Sequence, residues 1–302
     1  MIIGGIDTND ISVVVQGPID RNNTKKCLRS IRKHLRGAEI ILSTWEGSKC
    51  EDLDFDVVIY NSDPGGYKDK KCGSFVNNTQ RQLFSTQKGV KEAHRKYILK
   101  CRSDIVFFSN IFLKYFDKFN KRESEYQLFE HRIIVSSFFT KKYCASETDS
   151  MALPFHLSDW IVFGIREDVL FLYDVDLPQE PYNSWYMVDN EYQGINKDLL
   201  HASHRYAPEQ YIFFSACKKK FNQLSFEHYL DYDRENIRWS ERIIANNCII
   251  LDPNQWKFFC GKVKNGNDKY FLWTLCPYLL PSKTRRGLWT NKIFREDYAK
   301  LL

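Results

Sequence analysis

The feature that most constrains this chain is a recurrence in its first hundred or so residues: short β-branched runs separated by helical patterns or turns. "ISVVV" (residues 11–15) has no polar alternation, so it reads as a strand covered on both faces. "TKKCLRSIRKHL" (24–35) sets Cys27, Leu28, Ile31 and Leu35 at helical spacing, with Thr24 as the expected N-cap and Gly37 as the stop. "AEIILST" (38–44) and "FDVVIY" (55–60) are a second and a third strand, the latter running into the turn-rich "NSDPGG" (61–66). A helical pattern over residues 74–96 leads into a fourth, "YILKCRSDIVFF" (97–108). This order predicts an α/β, doubly wound sheet, in which ligands bind beyond the carboxyl ends of the strands.

Those ends are polar: Gln16-Gly17-Pro18, Asn61-Ser62-Asp63 and Arg102-Ser103-Asp104. The last interrupts an apolar run, and burying unpaired charge costs several kcal/mol, on the order of the transfer penalty of polar groups. Arg102 and Asp104 are therefore either an internal salt bridge or a pair delivered to the mouth of a ligand site. In the second case Asp104 can bind a divalent cation that bridges a diphosphate. Arg102 can instead hold the diphosphate by charge-assisted hydrogen bonds.

Composition narrows the classes. A chain of 302 residues with 43% hydrophobic content folds as one large domain or two modest ones. Its formal charge of +6 suits an anionic ligand or an acidic membrane surface and falls short of a nucleic-acid binder. Nine cysteines without a C-x-x-C pair argue against zinc and fit reduced thiols in the cytoplasm. No leader and no apolar run of about 18 residues is found, so neither export nor a spanning helix is expected. The dinucleotide, P-loop, nucleophile-elbow and H-E-x-x-H patterns are missing too. In the second half, residues 132–139 and 159–164 read as strands, and 166–174 and 208–220 as helices. Beyond residue 252 the pattern assigns nothing.

Six stretches in register, "DISVVVQGPI", "GAEIILSTW", "NNTQRQLFSTQKGV", "YILKCRSDI", "HLSDWIVFG" and "RYAPEQYI", resemble the WavE family of lipopolysaccharide-synthesis proteins, sugar transferases of bacterial surface glycans. The likeness covers roughly residues 10–215. It implies a GT-A-like glycosyltransferase fold with a Rossmann-like nucleotide-binding half, a mixed central sheet and a C-terminal helical extension. The corresponding division is a catalytic domain over 1–250, with a nucleotide-binding half at 10–110 and an acceptor half at 130–250, then an extension over 251–302. The implied partners are a nucleotide-sugar donor and a glycan or glycolipid acceptor of the lipopolysaccharide core or capsule, with no nucleic acid.

In that fold a D-x-D motif ends a central strand and binds the metal–diphosphate. Arg102-Ser103-Asp104 stands at the matching place with Arg for the first Asp, which puts a Mn or Mg ion at Asp104 in question. The literal string Asp174-Val175-Asp176 follows a helical pattern and reads as a solvated loop. By the same likeness Gln16, Gly17 and Pro18 fall on the loop that contacts the nucleotide, and Asn61 and Asp63 fall where base or ribose is held. Arg81 either reaches the phosphates or lies on a solvated helix face, and Asn78 and Gln82 share its helix.

An inverting sugar transfer also needs a base for the acceptor hydroxyl. Asp159, with Trp160 beside it to pack on a sugar, and Glu209, in a helical first turn whose dipole would hold it as the anion, are the candidates. Their plain alternatives are a turn residue and a helix cap. His156, His201 and His204 are further metal-ligand candidates. The tail (277–302) mixes basic residues with Leu288, Trp289, Ile293 and Phe294, so it either lies on the inner face of the inner membrane or packs on the body with its basic side solvated. The rival readings are a sugar nucleotidyltransferase or sugar-phosphate transferase, and a non-catalytic glycan-binding module.

Overall fold

A computed structural model describes residues 1–71, 73, 75–145, 150–190, 203–260 and 287–301. The β-branched runs form β1 (Ile11–Gln16), β2 (Glu39–Trp45), β3 (Val57–Asn61) and β4 (Tyr97–Arg102). Later come β5 (Ile133–Ser136), β6 (Ile161–Ile165) and β7 (Cys248–Leu251). Together they make one seven-stranded sheet in the order β7-β5-β6-β4-β1-β2-β3. β6 runs antiparallel to both its neighbours, and the other adjacent pairs are parallel. Every residue of β1 is buried, which explains why it shows no polar alternation. The chain steps outward from β1 to β2 and β3, then returns on the other side of β1 as β4. That reversal leaves a crevice at the carboxyl ends of β1 and β4.

Helices cover the sheet: α1 (Arg21–His34), α2 (Thr79–Glu92), α3 (Arg166–Tyr173), α4 (Tyr182–Asp189), α5 (Pro208–Lys220) and α6 (Arg234–Asn247). The N-cap of α1 is Asp20 and not the expected Thr24. Asp20 accepts from the amides of Asn22 and Asn23, while the Thr24 hydroxyl accepts from the Asp20 amide at 3.1 Å, one turn inside. α2 begins later than its pattern suggests, because Val76–Asn77 first pairs with Tyr67–Lys68. Its Gly89 lies on β1, where a Cβ would come within 2.4 Å of Val14 Cγ1. α4 and α6 have no counterpart in the sequence reading.

One contiguous core runs from Ile6 to Phe294. The described residues beyond 252 join it. α7 (Pro253–Trp256) buries Trp256, Phe258–Cys260 pairs antiparallel with Ile105–Phe107, and α8 (Asn291–Leu301) buries Phe294. Leu288, Trp289 and Phe294 are all spent on the body, while Lys292 and Arg295 face solvent. An interfacial helix needs a free apolar face, so the described part of the tail follows the packed alternative; residues 277–286 lie outside the described residues. Among the described residues no helix is long and apolar enough to cross a membrane.

Candidate active site

The crevice between β1 and β4 holds a cavity of about 510 Å³. The loop after β1 forms its floor. Gly17 adopts φ +119°, a conformation open to glycine, and a Cβ there would face Ser103 Oγ at 3.4 Å. Ser103 binds this loop twice, its amide donating to Gln16 O at 3.0 Å and its hydroxyl to Pro18 O at 2.7 Å. The N-termini of α1 (Asp20, Asn23) and α2 (Asn78, Arg81, Gln82) make two walls, and Trp45, Asp63, Arg102 and Asp104 complete the lining.

Arg102 and Asp104 are both an ion pair and part of the mouth. Arg102 Nε and Nη2 donate to the two carboxylate oxygens at 2.9 and 2.7 Å, and the side chains keep 21% and 12% of their surface exposed. The guanidinium also lies 4.3 Å from the centre of the Trp160 ring. Burial works against its charge, yet the Asp104 carboxylate holds Arg102 protonated more firmly than usual. Arg81 and Asp63 repeat the device in a more open setting. Two bonds of 2.7 Å join them, Arg81 Nη1 donates to Asn78 Oδ1 at 2.9 Å, and Arg81 keeps the Asp63 carboxyl below its ordinary range.

Gln16, Gly17, Pro18, Asp63, Arg81, Arg102 and Asp104 thus meet at one cavity, and Asn61, Asp159 and Glu209 do not line it. The Asn61 amide turns into the sheet end, donating to Ser43 Oγ at 3.0 Å and Thr44 O at 2.8 Å. It braces β2 against β3. Sequence reasoning passed over Trp45, Asp20 and Asn23, although the rule applied to the other strand ends also reaches Trp45, the last residue of β2. Gln82, on the helix of Arg81, also lines the cavity, with an Nε2 that is buried and has no protein partner.

The donor set does not fit a divalent cation. Both oxygens of Asp104 face the Arg102 fork, both oxygens of Asp63 face Arg81, and Asp20 caps α1 while accepting from Asn23 Nδ2 at 2.8 Å. Among the described residues no three His, Cys, Asp or Glu side chains are grouped to hold a metal. Asp174 and Asp176 are exposed in the loop after α3, as the pattern predicts.

Behind Arg102 lies a second group of charges. Asp159 is buried two residues before β6, and its Oδ2 has no hydrogen-bond partner. Burial pushes its pKa up against the pull of Lys100 and Arg102. Glu209, half-buried in the first turn of α5, departs from expectation: burial and the nearby Asp159 charge push its pKa to about 8, so it carries a proton at neutral pH. Desolvation and a like charge outweigh the helix dipole here. The cap of α5 is its neighbour Gln210, whose Oε1 accepts from the Ala207 amide at 3.3 Å.

Trp160 is packed by Arg102, by Phe138, and by Phe139 stacked at 5.0 Å. Phe139 itself has φ +66°, a strained conformation for a bulky residue. His156 Nδ1 lies 3.0 Å from Phe139 O, and burial drives its pKa down to about 3. Burial likewise takes His204 to about 4 although Asp69 lies 4.0 Å away, and His201 lies outside the described residues. Lys100, which sequence reasoning passed over, is fully buried in β4, its Nζ donating to the carbonyl of Asp159. The available signal was its spacing, since Lys100 and Arg102 alternate onto the same face of the strand.

Compared with known proteins, the chain matches the family model described as WavE lipopolysaccharide synthesis over residues 11–259, most of its length. No curated protein matches it.

Proposed function

Because this chain belongs to the WavE lipopolysaccharide synthesis family, and so has a role in lipopolysaccharide synthesis, we propose that it is a glycosyltransferase acting from a nucleotide-sugar donor onto a bacterial surface glycan. The observation that carries the reading is the cavity at the reversal point of the sheet, where two carboxylate-braced arginines and the starts of two helices converge. Helix N-termini and guanidinium forks are the two protein devices best suited to phosphate oxygens. A volume of about 510 Å³ falls within the usual range for small-molecule sites. The sheet supports a GT-A-like arrangement, with parallel strands β3-β2-β1-β4 as the nucleotide half and antiparallel β6 opening the acceptor half.

On this reading the diphosphate lies between Arg81 and Arg102, with Trp45 offering a flat surface to the base. Asp63 and Asp104 fix the guanidinium planes in advance, so charge developing on the departing diphosphate meets groups that need no rearrangement. The residues supply this stabilisation themselves, and no step is assigned to a cation. Asp159 takes the proton of the acceptor hydroxyl in an inverting transfer.

The test is a thermal-shift panel of UDP, GDP, CDP, CMP and ADP, each with and without Mn²⁺. The expected result is a rise in Tm with one nucleotide class, independent of Mn²⁺ and lost in Arg102→Ala. No shift with any nucleotide, or a shift that survives Arg102→Ala, overturns the assignment. Pyrophosphate released from a sugar 1-phosphate and an NTP would replace it with a nucleotidyltransferase.

A further inference from the structure

Lys100 has no task in donor binding, yet it is kept fully buried at the centre of β4. An ammonium so placed carries a desolvation penalty that Met or Leu would not incur. Its strand sets it one step beneath Arg102 on the same face, under the crevice. Nζ donates to Asp159 O and lies 5.7 Å from the centre of the Tyr173 ring. Two polar atoms nearby have no protein hydrogen bond, Asp159 Oδ2 and Tyr173 Oη. The groups facing the ammonium are Asp159 ahead of β6, Glu209 from α5, and Cys101 and Arg102 on its own strand; Asp159 also acts on Tyr173 of α3, and Lys141 on Glu209.

We propose that Lys100 is a positioning residue that keeps Asp159 ionised and in place as the acceptor-side base, while the proton shared by the two carboxyl groups stays on Glu209. The role rests on the transferase reading above. Asp159 and Glu209 cannot both ionise cheaply in so desolvated a space, so one proton remains with the pair. Lys100 decides its location. It holds the Asp159 main chain directly, and its charge is the first of the groups that pull the Asp159 carboxyl down against burial, whereas Glu209 is drawn down by its own backbone amide and then by Lys141 and Arg102.

The unpartnered Asp159 Oδ2 is then the atom that receives the acceptor proton. The acceptor oxygen bonds to the anomeric carbon, the bond from that carbon to the diphosphate oxygen breaks, and the diphosphate leaves with the electron pair. Burial brings Lys100 down to about 8, so its charge is present at neutral pH and is lost above it.

The test needs no substrate. Protein labelled with ¹³C at aspartate carboxyls is titrated by NMR, with Asp159→Asn assigning the resonance. In wild type the Asp159 carboxyl is ionised at pH 7. In Lys100→Met its titration moves up by about one to three pH units, the size expected for losing an adjacent opposite charge, and Lys100→Arg restores it. Lys100→Gln serves where the Met variant does not fold. An Asp159 titration that stays in place without Lys100, or that Arg does not restore, overturns the proposal. The nucleotide-induced rise in Tm is measured on the same variants and is expected to persist. Its absence from the wild type as well would sink the transferase reading instead, so the two failures are distinguishable.

Discussion

At the crevice, Arg102 and Arg81 each lie in the fork of one carboxylate, partly in water, with both guanidinium charges matched before a ligand arrives. Directly behind it, Lys100 and Asp159 are buried and Glu209 half-buried, without a fork between them, and two polar atoms there have no bond. The side-chain chemistry is nearly the same in both places. Geometry and water decide what it can do. Paired charges that keep their protons or their absence suit holding a diphosphate, whereas charges whose pKa values are drawn toward neutrality suit moving a proton.

The largest effect expected from breaking this contrast is at Asp159. Asp159→Asn keeps the shape and removes the base, so sugar transfer falls by about 10²–10⁴, the usual range for a general base, while the nucleotide shift in Tm persists. Steady-state rates beside thermal shift check this; an unaltered rate moves the base elsewhere. Next is Arg102→Ala, which leaves Asp104 nearly buried without its guanidinium. Urea unfolding is expected to show a loss of about 3–5 kcal/mol, as for other broken buried pairs. Arg102→Met with Asp104→Leu recovers most of that loss yet binds no nucleotide, which separates holding the fold from holding the ligand.

A third test asks how far the dry region extends, through His156. Its folded pKa lies below the unfolded one, so the neutral ring stabilises the fold above about pH 6.5 and that contribution is lost as pH falls. Between pH 7 and pH 5 wild type should lose about 2 kcal/mol more than His156→Gln, measured by denaturant titration at each pH. Equal slopes would place water at this ring. Smallest is Arg81→Ala. The partners are about a third exposed or more, so stability changes by less than about 1 kcal/mol. Nucleotide affinity, followed by calorimetry, is expected to drop about tenfold, the equivalent of one modest charge-assisted bond.

What the sequence made readable follows the same division. β1 was legible because burial on both faces leaves a local trace, a run rich in β-branched residues, and β2 to β4 because short apolar runs stand between turn and helix signals. The Arg102–Asp104 position was legible because charge at a strand end is conspicuous. Asn61 misled for a related reason, since a polar strand end can brace its own sheet as readily as face a ligand. Glu209 was misread because the helix dipole is visible in sequence, whereas desolvation and the Asp159 charge come from elements brought together by folding. For Lys100 only its alternation with Arg102 was legible; its partners were not, since nothing beside it in the chain announces Asp159 or Tyr173. Phe258–Cys260 is simply too short to show a period.

That last strand carries an implication for biosynthesis. The segment following Asp104 is edged by Phe258–Cys260, and Phe108 N donates to Lys257 O at 2.7 Å. A nascent polypeptide that has emerged only as far as β6 can assemble the wing from β3 to β4 while the hinge of its arginine–aspartate pair still lacks a neighbour. The edge of this segment is therefore closed only after residues far along the chain have been made, so the turn bearing Arg102 and Asp104 completes its packing late in synthesis.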